Sequence, residues 1–285
     1  MRVGAHVSAA GGLDKAIDRA VEIGAETLQL FCSPPQGWAF KPVPPEMAEA
    51  FREKAAASGI DRVFLHGVYL VNLGTENPVN LKRGIESLTN HMHTASAIGA
   101  VGVIFHPGSH KGRGYDAIFQ QTVDAISQVL TDSPDDAWLI IENMAGMGNH
   151  IGARFQELGL IIQAVGSPRV KICMDVQHAF AAGYDIVTPD GIGEAMEEFD
   201  REIGLSNLVA VHANDSKKPL ASGVDRHENI GRGEMGLYGF QVIMGHPAFR
   251  DVPFLLEVPG MEGNGPDKEN LDVLKELRAK VGLKE

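Results

Sequence analysis

The 285 residues carry 25 lysines and arginines against 37 aspartates and glutamates, a formal charge of -12 with histidines neutral. Hydrophobic residues at 44% and charged residues at 22%, with 33 glycines and 15 prolines scattered along the chain, are ordinary globular values and exclude collagen, coiled coil and intrinsic disorder. Two cysteines, Cys32 and Cys173, are too few for a disulfide framework or a four-thiolate zinc site. The start, MRVGAHVSAAGG, has no apolar core, and no run approaches the roughly 18 apolar residues of a membrane span. These features read as a cytoplasmic protein without membrane association. The acidic balance argues against general attraction to polyanions, which depends on Lys and Arg, but leaves room for a local cationic patch.

Short runs rich in Val, Ile, Leu and Phe alternate with longer amphipathic segments, the pattern of strand and crossover helix. In chain order the spacing predicts strand 2–8, helix 13–23, strand 27–32, helix 45–58, strand 63–67, helix 80–98, strand 101–106 and helix 115–130. It continues with strand 138–143, helix 155–165, strand 170–175, helix 192–203, strand 208–213, a short helix at 238–244, strand 253–258 and helix 267–280. Gly24, Gly59, Gly99, Gly166 and Gly204 stand where helices end and a left-handed residue is wanted. Eight such units in a chain of this length predict a (β/α)8 TIM barrel, one domain over 1–285. After the first strand, Gly4, Gly11 and Gly12 lack the G-x-G-x-x-G spacing, and no phosphate-loop lysine motif occurs in the chain, so no nucleotide cofactor is expected.

Active sites of such barrels lie at the C-terminal ends of the strands. There the sequence places His66 in FLHG, His106 in FHPG, Glu142 in IENM, Asp175 and His178 in MDVQH, His212 in VHAND, Asp225 and His227 in DRH, and Glu257 in LLEVPG. Any one of these has an ordinary reading as a hydrogen-bonded loop residue. Together, four carboxylates around one mouth would repel each other unless cations neutralise them. Five imidazoles with four carboxylates and no thiolate suit zinc first, then manganese or iron. Nine ligands are too many for one ion and fit two or three, with positions left open for hydrolysis of a phosphodiester. Three divalent ions would outweigh the four carboxylates and make a cationic pocket in an acidic protein.

The stretches VGAHVSAAGGL, HGVYLVNLG, FHPGS, IENMAGMGN, MDVQHAFAAGYD, HANDS, DRHENIGRGEMG and LLEVPG, in this order, resemble the endonuclease IV family of metal-dependent apurinic/apyrimidinic endonucleases. The resemblance implies a three-metal barrel that cleaves double-stranded DNA on the 5′ side of abasic sites, leaving a 3′ hydroxyl; a monomer is expected. Carried over by position, it puts His66 and His106 on a first zinc with Glu142 bridging to a second, which Asp175, His212 and Glu257 complete, and His178, Asp225 and His227 on a third. It makes Glu142 and Glu257 the groups that orient or deprotonate the attacking water. Tyr69 stands where the family has a tyrosine that reaches the DNA minor groove; its other reading is a packing residue of the rim. The strand-two loop departs from the family: SPPQGW places Gln36 where an arginine that enters the base stack is expected, and Gly37 beside it. Arg226, between two implied ligands, is read as a phosphate contact, or else as a solvated counter-charge. Lys111, Arg113, Lys217, Lys218 and Arg232 are further candidates for the DNA backbone.

The rival reading is a sugar isomerase or epimerase on the same barrel, since such enzymes also bind divalent metal with strand-end Glu, Asp and His. His178, Asp225 and His227 have no clear task there. A non-catalytic metal-storing or nucleic-acid-binding protein fits less well, because pure binding requires no open metal positions.

Overall fold

Alternating hydrophobic runs become strands buried on both faces, and the amphipathic segments between them become helices that cover the outside. The computed structural model describes residues 1–283, so residues 284 and 285 of the expected domain span lie outside the described part. Strands β1 (Val3–His6), β2 (Thr27–Leu30), β3 (Val63–His66), β4 (Gly102–Phe105), β5 (Trp138–Glu142), β6 (Val170–Asp175) and β7 (Leu208–His212) follow in order. A two-stranded hairpin, β8 (Asp215–Ser216) with β9 (His227–Glu228), precedes the last barrel strand, β10 (Phe254–Leu256). The sheet closes in the order β1-β2-β3-β4-β5-β6-β7-β10, every barrel pair parallel. The predicted barrel is thus observed, with β6 at its predicted bounds and the other strands trimmed by one to three residues at their ends.

The helices are α1 (Leu13–Glu22), α2 (Pro45–Ser58), α3 (Pro78–Ile98), α4 (Tyr115–Thr131), α5 (Phe155–Val165), α6 (Val176–Ala182), α7 (Pro189–Glu202), α8 (Gly236–Gly245) and α9 (Lys268–Lys280). Helix α3 starts earlier than predicted because the Asn77 side chain accepts hydrogen bonds from the Val79 and Asn80 amides and Pro78 takes the first helical position, where a missing N–H does no harm. It ends on Gly99, at φ 71°. Among the described residues, three single-turn helices (Met147–Asn149, Leu205–Asn207 and Pro247–Phe249) and two larger features were not foreseen. Helix α6 follows β6 without a loop, and the β8–β9 hairpin folds the long segment after β7 back over the barrel mouth. Asp215 pins that segment: its buried carboxylate accepts from the amides of Ser216, Gly231, Gly233 and Met235.

The main core lies between barrel and helices. A second cluster, Phe64, Ile104, Ile140, Cys173, Ala210 and Leu255, fills the barrel itself and is wholly buried. Because strand side chains alternate faces, the residue two positions further on also points inward. From β3 to β10 those residues are His66, His106, Glu142, Asp175, His212 and Glu257. On β1 and β2 the corresponding pairs are Gly4 with His6 and Thr27 with Gln29. Gly4 is needed because a Cβ there would lie 1.9 Å from the Thr27 carbonyl oxygen.

Candidate metal centre

Six of the nine predicted residues come from this rim layer. Asp175 ends β6 and caps α6, its Oδ1 accepting from the His178 amide at 2.8 Å, which turns His178 of the first helical turn inward as a seventh. The hairpin supplies Asp225 and His227. Three groups have ligand atoms within 4.8 Å of one another: His66, His106 and Glu142; Glu142, Asp175, His212 and Glu257; and Asp175, His178 and His227. Asp225 joins the last through Oδ2, 3.3 Å from His178 Nε2, and Oδ1, 3.3 Å from His227 Nε2.

Glu142 is the hub. It is fully buried, with His66 Nε2 and His106 Nε2 at 3.3 and 3.1 Å from Oε2, and His178 Nδ1 and His212 Nδ1 at 3.1 and 3.3 Å from Oε1. Burial pushes this carboxyl up, but the His106 and His212 charges outweigh burial and hold it well below the usual range. His178 is held well above a free imidazole because the Asp175 charge, with Asp225 and Glu142, overcomes its desolvation. His212 is raised likewise, against burial, with Cys173, Glu257 and Glu142 as the causes. Asp225 falls to about 2 despite burial, chiefly through its hydrogen bond with His178.

The fit to metal lies in the other ring nitrogens. His66 Nδ1 bonds the Gly67 carbonyl at 2.7 Å, His178 Nδ1 the Asn143 carbonyl at 2.9 Å, His212 Nε2 the Gln29 side-chain oxygen at 2.8 Å, and His227 Nδ1 the Glu257 carbonyl at 3.3 Å. Each ring donates on one side to a carbonyl, which leaves the opposite nitrogen bare and facing carboxylates, the arrangement that orients metal-ligating histidines. His178 Nε2, His212 Nδ1, His227 Nε2 and Glu142 Oε1 are buried without a hydrogen-bond partner. Such orphaned groups are costly unless something else binds them. A divalent cation fits that donor set.

Residues not singled out in the sequence support these side chains. Asn143 receives the Asp175 amide at 2.7 Å and donates to the Asp175 carbonyl at 3.1 Å; Asn214 donates to Asp175 Oδ2 and accepts from the Glu257 amide, both at 2.8 Å. Both stand beside ligands in IENM and HAND, a signal that was available. Gln29, a large polar residue between Leu28 and Leu30, was another.

The predicted DNA contacts are spread around the mouth. Tyr69, 55% exposed, sits between Phe31, His66 and His106, with ring centroids 5.3 to 6.0 Å apart. Burial of its hydroxyl and the Glu257 and Glu142 charges push its pKa up to about 12. Gln36 is exposed in the loop after β2. Its neighbours Pro34 and Pro35 line a cavity of about 1240 Å3 that reaches Tyr69, His227 and Glu257. A second cavity, of about 390 Å3, holds His66, His106, His178, Asp225, His227 and Glu257. Arg226 is exposed, its guanidinium on the Asp225 carbonyl at 2.6 Å. Arg113 engages the Gly74 carbonyl at 2.6 Å, and Arg232 lies 3.3 Å from Glu269, so both have structural partners.

The chain is similar from residue 17 to residue 277 to the family described as Xylose isomerase-like TIM barrel. Within it, the chain is 40% identical to a probable endonuclease 4 of Trichlorobacter lovleyi, over 96% of this chain and 99% of the relative. The crystal structure of endonuclease IV from Thermus thermophilus superposes with a TM-score of 0.87 at 33% identity, covering 98% of this chain and 100% of that one. A D-tagatose 3-epimerase-like protein superposes at 0.77 with 18% identity, over 99% and 98% of the two chains, a likeness of fold alone. The chain belongs to the endonuclease 4 family, as the sequence motifs implied.

Proposed function

We propose that this protein is a DNA-repair endonuclease that hydrolyses the phosphodiester 5′ to an abasic site in double-stranded DNA, leaving a 3′ hydroxyl, and works as a cytoplasmic monomer. Its cofactors are three divalent ions, zinc first, with manganese or iron as alternatives in one or more positions. The carrying observation is the convergence of nine acidic and imidazole side chains in which buried ring nitrogens are left bare toward carboxylates. Whole-length similarity to endonuclease 4 proteins favours this reading over a sugar isomerase. Among the described residues no helix is long and apolar enough to cross a membrane.

His66, His106 and Glu142 would hold the first ion; Asp175, His212, Glu257 and the shared Glu142 the second; His178, Asp225 and His227 the third. Divalent ions held there supply Lewis acidity toward the phosphate and acidify a water for attack. Glu142, surrounded by four imidazoles and lining neither cavity, holds the ions. Glu257 lines both cavities, its side chain 17% exposed, and of the two carboxylates it is the one that orients the attacking water. Tyr69, protonated at neutral pH, offers a ring face and a hydroxyl to the DNA minor groove. Arg226 on the hairpin contacts phosphate, and Gln36 fills the place of the family arginine without its charge.

The test is an end-labelled duplex carrying one abasic analogue that cannot undergo β-elimination, beside undamaged duplex and a chelator control. Chelator-sensitive incision only 5′ to the lesion is expected; absence of incision with zinc bound refutes the assignment. Because an imidazole ligates only through an unprotonated nitrogen, ion binding competes with protons and affinity rises with pH. Calorimetry in buffers of different ionisation enthalpy measures the proton release.

A further inference from the structure

Every barrel strand places one inward side chain at the rim. Six are the proposed ligands, and the remaining two, His6 and Gln29, face each other across the β1–β2 ladder. Gln29 is wholly buried. A buried amide is destabilising unless its donors and acceptor are satisfied, and here they all point to the centre or its edge. Gln29 Oε1 accepts from His212 Nε2 at 2.8 Å; Gln29 Nε2 donates to Glu257 Oε1 at 2.6 Å and to His6 Nδ1 at 2.8 Å.

Resting on the metal-centre reading above, we infer that Gln29 is a positioning residue that sets the second ion's ligands, with His6 as its third anchor. One amide has one acceptor and two donors, and each addresses a different strand. The acceptor fixes His212 with its proton on Nε2, which bares Nδ1 toward Glu142 Oε1, Glu257 Oε2 and Asp175 Oδ2 at 3.3, 3.4 and 3.9 Å. One donor engages Glu257 Oε1, which turns Oε2 toward the cluster. The second donor binds His6, whose ring packs on Phe31 with centroids 4.5 Å apart, and this prevents the amide from rotating. Flipped, the amide would present donors to His212 Nε2–H and its oxygen to a carboxylate, both repulsive. Outer partners of this kind govern metal affinity by about 10- to 100-fold.

The experiment compares wild-type, Gln29→Met and Gln29→Glu proteins by competing bound zinc against a chromogenic chelator, with thermal melting of the chelated proteins and incision as a function of pH. In Gln29→Met, one zinc equivalent is expected to transfer at about 10- to 100-fold lower chelator concentration, while the chelated protein melts within a few degrees of wild type. Gln29→Glu keeps an acceptor for His212 but loses the donor to Glu257 and sets a second carboxylate against it, so one zinc equivalent should again transfer at lower chelator concentration than in wild type. Wild-type zinc affinity in both variants overturns the inference, as does a lower melting point of the chelated protein with unchanged zinc affinity, which would mean packing alone. If Gln29→Met does not fold, Gln29→Glu decides by the same criteria. Wild-type protein that binds zinc but does not incise DNA would sink the endonuclease reading and leave the zinc competition to judge Gln29.

Discussion

Two layers of the same barrel, separated by only two residues along each strand, show what position does to chemistry. In the lower layer Phe64, Ile140, Cys173, Ala210 and Leu255 are apolar and wholly buried; in the upper, His66, Glu142, Asp175, His212 and Glu257 are nearly as buried but ionisable. The lower layer stabilises by removing apolar surface from water. The upper would destabilise by gathering like charges in a poorly solvated space, unless cations complete it. The difference teaches that a buried rim of this composition is able to hold metal ions, and that the apolar layer beneath is the platform that positions its side chains.

The largest effect should come from breaking the hub. Glu142→Gln removes the charge shared by four imidazoles; incision should fall by at least about a thousandfold, with zinc lost from the centre, as read by metal analysis and single-turnover incision. Retained zinc and activity would make Glu142 a bystander. Next, Phe64→Ala in the lower layer should lower unfolding free energy by about 3–5 kcal/mol, measured by denaturant titration of the chelated protein. Equal destabilisation by Glu142→Gln in that assay would erase the contrast between layers.

A buried histidine outside the rim sharpens the comparison. His91 on α3, its Nδ1 on the Ser87 carbonyl at 2.7 Å, is lowered by burial to about 4. Its native form is the neutral one, so the unfolded chain binds more protons between about pH 6.5 and 4, and stability falls as pH drops through that window. The loss amounts to about 3 kcal/mol. His91→Met should flatten the acid limb of a stability–pH curve by that amount; an unchanged limb would place the titration elsewhere. Smallest are the contacts beyond the rim. Tyr69→Ala should raise the KM for abasic duplex by about tenfold, the loss of one aromatic contact worth about 1–2 kcal/mol, with zinc content unchanged. Gln36→Ala should change it less than about twofold, as expected of an exposed neutral side chain.

Much of this was readable along the chain because it is local. Strand alternation and the terminal glycines mark the eight units, and His66, Glu142, Asp175 and His212 stand at strand ends that periodicity alone predicts. Helix α6 was missed although its signals were present, an Asp cap, a helical run and Gly183 at φ 105°, because a strand running straight into a helix leaves no loop to mark the change. The β8–β9 hairpin is only two residues per strand and depends on the buried Asp215 rather than on hydrophobic pattern.

The sequence by itself determined the barrel, the set of acidic and imidazole residues at its strand ends and the family, since all three rest on residue types at short, regular spacings. Only the tertiary structure decided which nitrogen of His66, His178, His212 and His227 is bare, that Glu142 rather than Glu257 is the hub, and that Gln29 and His6 complete the ring. Those outcomes depend on distances between side chains from strands far apart in the chain, and such distances exist only once the sheet has closed.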